Sequence, residues 1–227
     1  MSTTIAEPPP QTTATATGET RILVPDATWA LYESFVNNLP ESTPIRTAFD
    51  GRKMEIMVTG PVHDHFADRL DHFIKTVAGS LGILILSLGE TTWIRPELAR
   101  GIESDNCYYL DSEKIASASS LISRRVNDIA GYPNADLAIE VDILPPKADR
   151  QAIYAAMGVA ELWTFDGQDL TIRRLEENDR YRRVERSGYL RVRADQVPRW
   201  LTVEDLSDYG AWTRRVRQWA EESLRGE

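Results

Sequence analysis

Residues Asp136 to Trp163 read DLAIEVDILPPKADRQAIYAAMGVAELW, and the fold follows from how this stretch divides. It opens by alternating. Leu137, Ile139, Val141 and Ile143 fall on one face of a strand, and Asp136, Ala138, Glu140 and Asp142 on the other, because strand side chains alternate with period two. The first set predicts a core face. The second carries three carboxylates with one alanine among them, and neighbours at i and i+2 stand only about 6–7 Å apart. Like charges that close raise one another's pKa. Compensation comes either from a divalent cation, which prefers carboxylate oxygens, or from water on a half-exposed antiparallel strand. Pro145-Pro146 ends the strand, and Lys147, Asp149 and Arg150 put charges in the turn. Ile153, Tyr154 and Met157 predict a short core-facing helix, Gly158 sits where a left-handed helix cap belongs, and Glu161–Phe165 predicts a second strand.

Upstream, residues 1–21 are rich in Pro, Thr and Ala and predict a disordered tail. A domain over 22–195 and a C-terminal helical extension over 196–227 follow. Thr28 is placed to cap a helix presenting Leu31, Phe35 and Val36. Asp50-Gly51 between Ile45–Phe49 and Lys53–Val58 is a tight-hairpin signal, with Glu55 facing away from Met54 and Ile56. Phe66, Leu70, Phe73, Ile74 and Val77 have helical spacing. Strands are expected at Ile83–Leu88, Thr91–Arg95 and Asp105–Leu110, then a polar, Ser-rich loop over 111–135 with a weak helical patch. Beyond the central stretch, Leu170–Leu175, Tyr181–Arg186 and Tyr189–Arg193 predict further strands, and Trp212, Val216 and Trp219 a closing helix.

The 227 residues suffice for one α/β domain with a full core. The single cysteine, Cys107, rules out an internal disulfide and fits a reducing, cytoplasmic setting. The longest apolar run, Leu81–Leu88, is far short of a membrane span, and the N-terminus lacks the features of a secretory signal. A net charge of −9 counts against broad non-specific nucleic-acid binding. It leaves room for a nucleic-acid enzyme with an acidic, metal-neutralised site. His63, His65 and His72 lack a zinc spacing and are expected on the surface or at a cap. The arginines at 173, 174, 180, 182, 183, 186, 191 and 193 lie among acids and predict a solvated, ion-paired face.

The segments FDGRKMEIM, PVHDHFADRL, TTWIRPELARGIESDNCYYL, DLAIEVDI and IYAAMGVAELWTFDG, in this order, are similar to the Uma-type family of bacterial proteins classed as restriction endonucleases, within the PD-(D/E)XK nuclease superfamily. The resemblance runs from about Ile45 to Leu175. It implies a restriction-endonuclease-like α/β fold, a mixed central sheet flanked by helices. It also implies hydrolysis of phosphodiester bonds, with DNA as substrate and Mg²⁺, or Mn²⁺ in its place, as cofactor. Asp105 then matches the first acidic position, with Ser104 for the usual proline, Glu140 the second, and Glu55 an upstream acid that completes the metal set. The chain departs from the pattern two residues after Glu140, where Asp142 replaces the superfamily's lysine. The family's displaced lysine aligns with Arg150, which is expected to face the scissile phosphate, with Lys147 as the nearest substitute. Arginine stays protonated and cannot take a proton from water. The competing expectation is therefore a catalytically inactive nuclease-fold module that serves in homodimerisation or partner binding. A glycosidase using paired carboxylates ranks below both, because sugar-stacking aromatics are missing around the acids.

Overall fold

The computed structural model describes residues 18–40, 44–202 and 208–225. One sheet of nine strands organises them, in the order β1-β3-β2-β5-β6-β7-β8-β9 with β4 also on β5. The strands are β1 (Thr20–Val24), β2 (Ile45–Phe49), β3 (Met54–Val58), β4 (Leu86–Arg95), β5 (Arg100–Tyr109), β6 (Leu137–Val141), β7 (Glu161–Phe165), β8 (Leu170–Leu175) and β9 (Tyr181–Val184). The helices are α1 (Trp29–Asn37), α2 (Pro61–Leu81), α3 (Ser112–Ser123), α4 (Arg150–Ala156), α5 (Pro198–Leu201) and α6 (Tyr209–Ser223). Only β6 and β7 run parallel, joined by the α4 crossover, so the sheet is mixed, as the family resemblance implies. No helix among the described residues is long and apolar enough to cross a membrane.

The central strand is buried on both faces rather than one. Leu137, Ile139 and Val141 join the cluster under α2 and α6, while Ala138 joins Ile153, Tyr154 and Leu162 under α4. The half-exposed alternative is thereby set aside: helices cover both sides of β6, as parallel neighbours require. Asp136 does not belong to the acidic face. It precedes β6, accepts the Leu110 and Asp111 amides at 2.8 Å each and holds Lys114 Nζ at 2.6 Å. Its carboxylate ties β5 to the start of α3.

Other departures are local. The loop expected over 111–135 contains α3, begun by Asp111, whose side chain accepts from Glu113 and Lys114. The two strands expected over 83–95 are one strand, irregular at Gly89, whose φ of 67° suits a glycine bulge. In α1, Thr28 does cap the helix, but Tyr32 is the buried residue and Leu31 is exposed. Gly101 leaves room for that tyrosine: a Cβ there would stand 2.3 Å from its ring. Residues 189–193 form no strand, only an isolated bridge between Arg186 and Arg193. Of the expected tail, residues 1–17 lie outside the described residues, whereas Thr20 and Arg21 pair in β1.

Beta5 sets the site. One edge pairs with β4 along nearly its whole length. The other edge pairs with β2 at Gly101 and Ile102 and with β6 from Asn106 to Tyr108. The sheet therefore forks near Ser104 and Asp105, where polar side chains from both arms converge.

Candidate functional site

Strand pairing delivers the side chains to the fork. Arg21 and Arg46 both lie opposite Met57, and Leu23 and Ala48 opposite Glu55, so one face of the β1-β3-β2 arm presents Arg21, Arg46 and Glu55. Across the fork stand Asp105 at its base, Glu140 near the end of β6, and Asp142 just beyond. The Asp50-Gly51 turn holds the 145–149 loop in place, since Asp50 Oδ2 accepts the Asp149 amide at 3.0 Å. Asp149 caps α4, and Arg150 in its first turn points back into the acids.

The site is an ion-pair network. The Arg150 Nη1 atom binds Glu140 Oε2 and lies 3.2 Å from Asp142, and its Nη2 is 3.8 Å from Glu55. The Tyr154 hydroxyl donates to the other Glu140 oxygen. Arg21 bridges Glu19, Glu55 at 2.7 Å and Asp142 at 3.0 Å. Arg46 Nη1 sits 2.8 Å from Asp105 Oδ1, and its Nη2 reaches Glu90 at 2.8 Å. Asp105 Oδ2 accepts the Val141 amide at 2.6 Å and has His63 Nε2 at 3.2 Å. Glu55 Oε2 accepts two amides, from Lys147 at 3.0 Å and Ala148 at 2.9 Å.

Electrostatics follow from the charge count. Four buried carboxylates (Glu19, Glu55, Asp105 and Glu140) and the half-buried Asp142 face three buried guanidinium groups. Burial raises Glu55 and Asp105, but their cationic partners outweigh it and hold both below the ordinary carboxylate value. Glu140 goes the other way. Burial, resisted by Arg150 and reinforced by Asp105 and Asp142, pushes it up to about 8. Burial lowers His63, yet its contact with Asp105 prevails and raises it.

Glu55, Asp105, Glu140, Asp142 and Arg150 are thus brought together. The Lys147 side chain is not: its Nζ donates to the Arg21 carbonyl at 2.9 Å. His63 corrects the expectation of a surface histidine, because the N-terminus of α2 buries it against Asp105. The sequence reading missed Arg21, Arg46 and Tyr154 as site residues. A lone arginine inside an apolar strand, as in IRTAF, is the signal for Arg46, since a buried charge needs a partner.

Carboxylates are the right donors for a hard divalent cation. As arranged, they do not fit one. Both oxygens of Glu55 and of Glu140 already accept from guanidinium, amide or hydroxyl groups, whereas Asp105 Oδ1 has the Arg46 ion pair but no hydrogen-bond donor. Among the described residues no three His, Cys, Asp or Glu side chains are disposed to hold a metal.

A cleft of about 760 Å³ opens beside the network, lined by Glu140, Asp142, Arg150, Thr164, Thr171 and Arg173 among others. A solved structure from Anabaena variabilis, described as "a putative nuclease belonging to DUF820", is similar over 77% of this chain and 99% of its own, at 12% identity and a TM-score of 0.47. No curated protein matches the chain. The model of the Uma2 family, described as "Putative restriction endonuclease", matches residues 29–207, and the chain belongs to that family.

Proposed function

We propose that this member of a nuclease family binds nucleic acid at the Glu140–Asp142 cleft and does so without metal-dependent cleavage. The supporting observation is Arg150, whose guanidinium stands among Glu140, Asp142 and Glu55. A metal bridging those acids must first displace it. Breaking a buried ion pair costs about 3–5 kcal/mol, and Mg²⁺ gives up its own water reluctantly. Arg150 also cannot act as the base that activates water, because a guanidinium stays protonated. The cleft beside the network is where a ligand has room, and nucleic acid is the substrate class that the family implies.

Metal-dependent hydrolysis, with Mg²⁺ or Mn²⁺ held by Glu55, Asp105 and Glu140, is the second reading. The surplus of buried carboxylates favours it, since a cation would offset the burial, and then the nearby Asp105 and Asp142, that raise Glu140. Incubating DNA with the wild type and with Glu140→Gln, with and without Mg²⁺ or Mn²⁺, separates the two. The first reading expects DNA binding in the presence of a chelator and no cleavage above that of the variant. Metal-dependent cleavage that Glu140→Gln abolishes would establish the second reading instead.

A further inference from the structure

The polar face of Glu140 continues past β6. Glu140 lies opposite Thr164, and Thr164 opposite Thr171. In the adjoining row Ala138 lies opposite Leu162, Leu162 opposite Arg173, and Arg173 opposite Arg183. Residues opposite one another share a face, so Arg173 and Arg183 stand side by side on the α4 side of the sheet. Like charges directly across a strand pair repel.

Nearby arginines are balanced: Arg182 pairs with Glu176 at 2.6 Å and Arg193 with Asp195 at 3.1 Å. Arg173 and Arg183 have no ion pair among the described residues. Arg173 Nη1 donates to Thr164 Oγ1 at 2.7 Å, which fixes its guanidinium at the cleft floor. Burial and then Arg183 lower its pKa, opposed by Asp142. Asp166 Oδ1 serves the turn, accepting the Gln168 and Asp169 amides at 2.9 and 2.7 Å. Asp169 lines the same rim but forms no ion pair with either arginine among the described residues.

We infer that Arg173, Thr164 and Thr171 of the cleft, with Arg183 of the adjoining hollow, form an oxyanion subsite that takes a backbone phosphate of nucleic acid where the two meet. Two adjacent guanidinium forks match the oxygens of one phosphate, and the anion removes the repulsion that the strand pairing imposes. The inference rests on the nucleic-acid reading above and adds the residues that make the contact, in the same cleft as the Arg150 network.

The test is fluorescence anisotropy of a labelled DNA duplex over a salt series, with a chelator present, on the wild type, Arg183→Glu, Arg173→Gln and Arg182→Glu. Arg182 sits on the opposite face of β9 and controls for net charge. Arg183→Glu and Arg173→Gln should weaken binding about tenfold, as the loss of a charge-assisted hydrogen bond does, and Arg183→Glu should reduce the salt slope by about one. Arg182→Glu should leave both unchanged. Equal weakening by Arg182→Glu and Arg183→Glu, or none by Arg183→Glu, overturns the subsite. Calorimetry with inorganic phosphate distinguishes the sources. Phosphate binding lost in Arg183→Glu, by a protein that does not bind the duplex, keeps the oxyanion subsite but rejects the nucleic-acid reading beneath it. Binding of neither ligand by the wild type rejects both.

Discussion

Arg150 is the residue on which the site turns, and removing it tests whether the network is structural. The Arg150→Ala substitution leaves Glu140 and Asp142 facing each other without the cation between them. Uncompensated buried charge costs roughly 3–5 kcal/mol, so a clear fall in denaturation midpoint is expected. An unchanged midpoint would mean that the guanidinium contributes little. Glu140 and His63 predict the pH dependence. Both have folded pKa values above their ordinary ones, so the folded chain binds more protons than the unfolded chain, and stability falls as pH rises. For Glu140 this loss begins above its ordinary value of about 4.3 and continues through about 8. Glu55 and Asp105, held low, act oppositely and lose their contribution only as strong acid protonates them. Thermal melts should therefore show stability declining from weakly acid to weakly alkaline pH. The Glu140→Gln variant should flatten the slope; a wild-type curve that rises over that interval would refute the assignment.

At the scale of elements, the hairpin, the long α2 helix and the strand–helix–strand around α4 were legible in the sequence. Each rests on local chemistry: Asp50-Gly51 for the turn, period-3.6 apolar spacing for α2, and Pro145-Pro146 and Gly158 as boundaries. What was not legible depends on pairing. Arg21 becomes a site residue only because β1 pairs with β3, opposite Met57. Asp136 looked like Glu140 by alternation, yet it lies at the other end of the strand and serves α3. No one-dimensional spacing carries the fork in β5 that gathers Asp105, Arg46 and His63. The two acids should therefore respond differently to substitution. Asp136→Ala strands two amides and Lys114, and should cost about 1–3 kcal/mol while leaving DNA affinity intact. If it abolishes binding at unchanged stability, Asp136 belongs to the site after all.

Across the whole molecule, the cleft opens beyond the ends of β6 and β7, lined from both faces of the sheet, and the face under α2 and α6 carries the larger core. Trp212, Val216, Ala220 and Leu224 from the C-terminal segment pack with α2, Trp163 and Phe165 in that core. Trp212 is fully buried, and its Nε1 donates to the Trp200 carbonyl at 2.8 Å. Trp212→Ala should thus destabilise the chain by about 3–5 kcal/mol, readable in urea unfolding. A cost below 1 kcal/mol would show that α6 is an appendage. The central claim concerns charge: Arg21, Arg46 and Arg150 stand among the acids in place of a metal ion. Calorimetric titration of Mn²⁺ into the wild type and into Arg150→Met tests it most directly. The account predicts no saturable binding by the wild type and the appearance of binding once the guanidinium is replaced by an uncharged side chain. Saturable binding by the wild type that Asp105→Asn removes would contradict it.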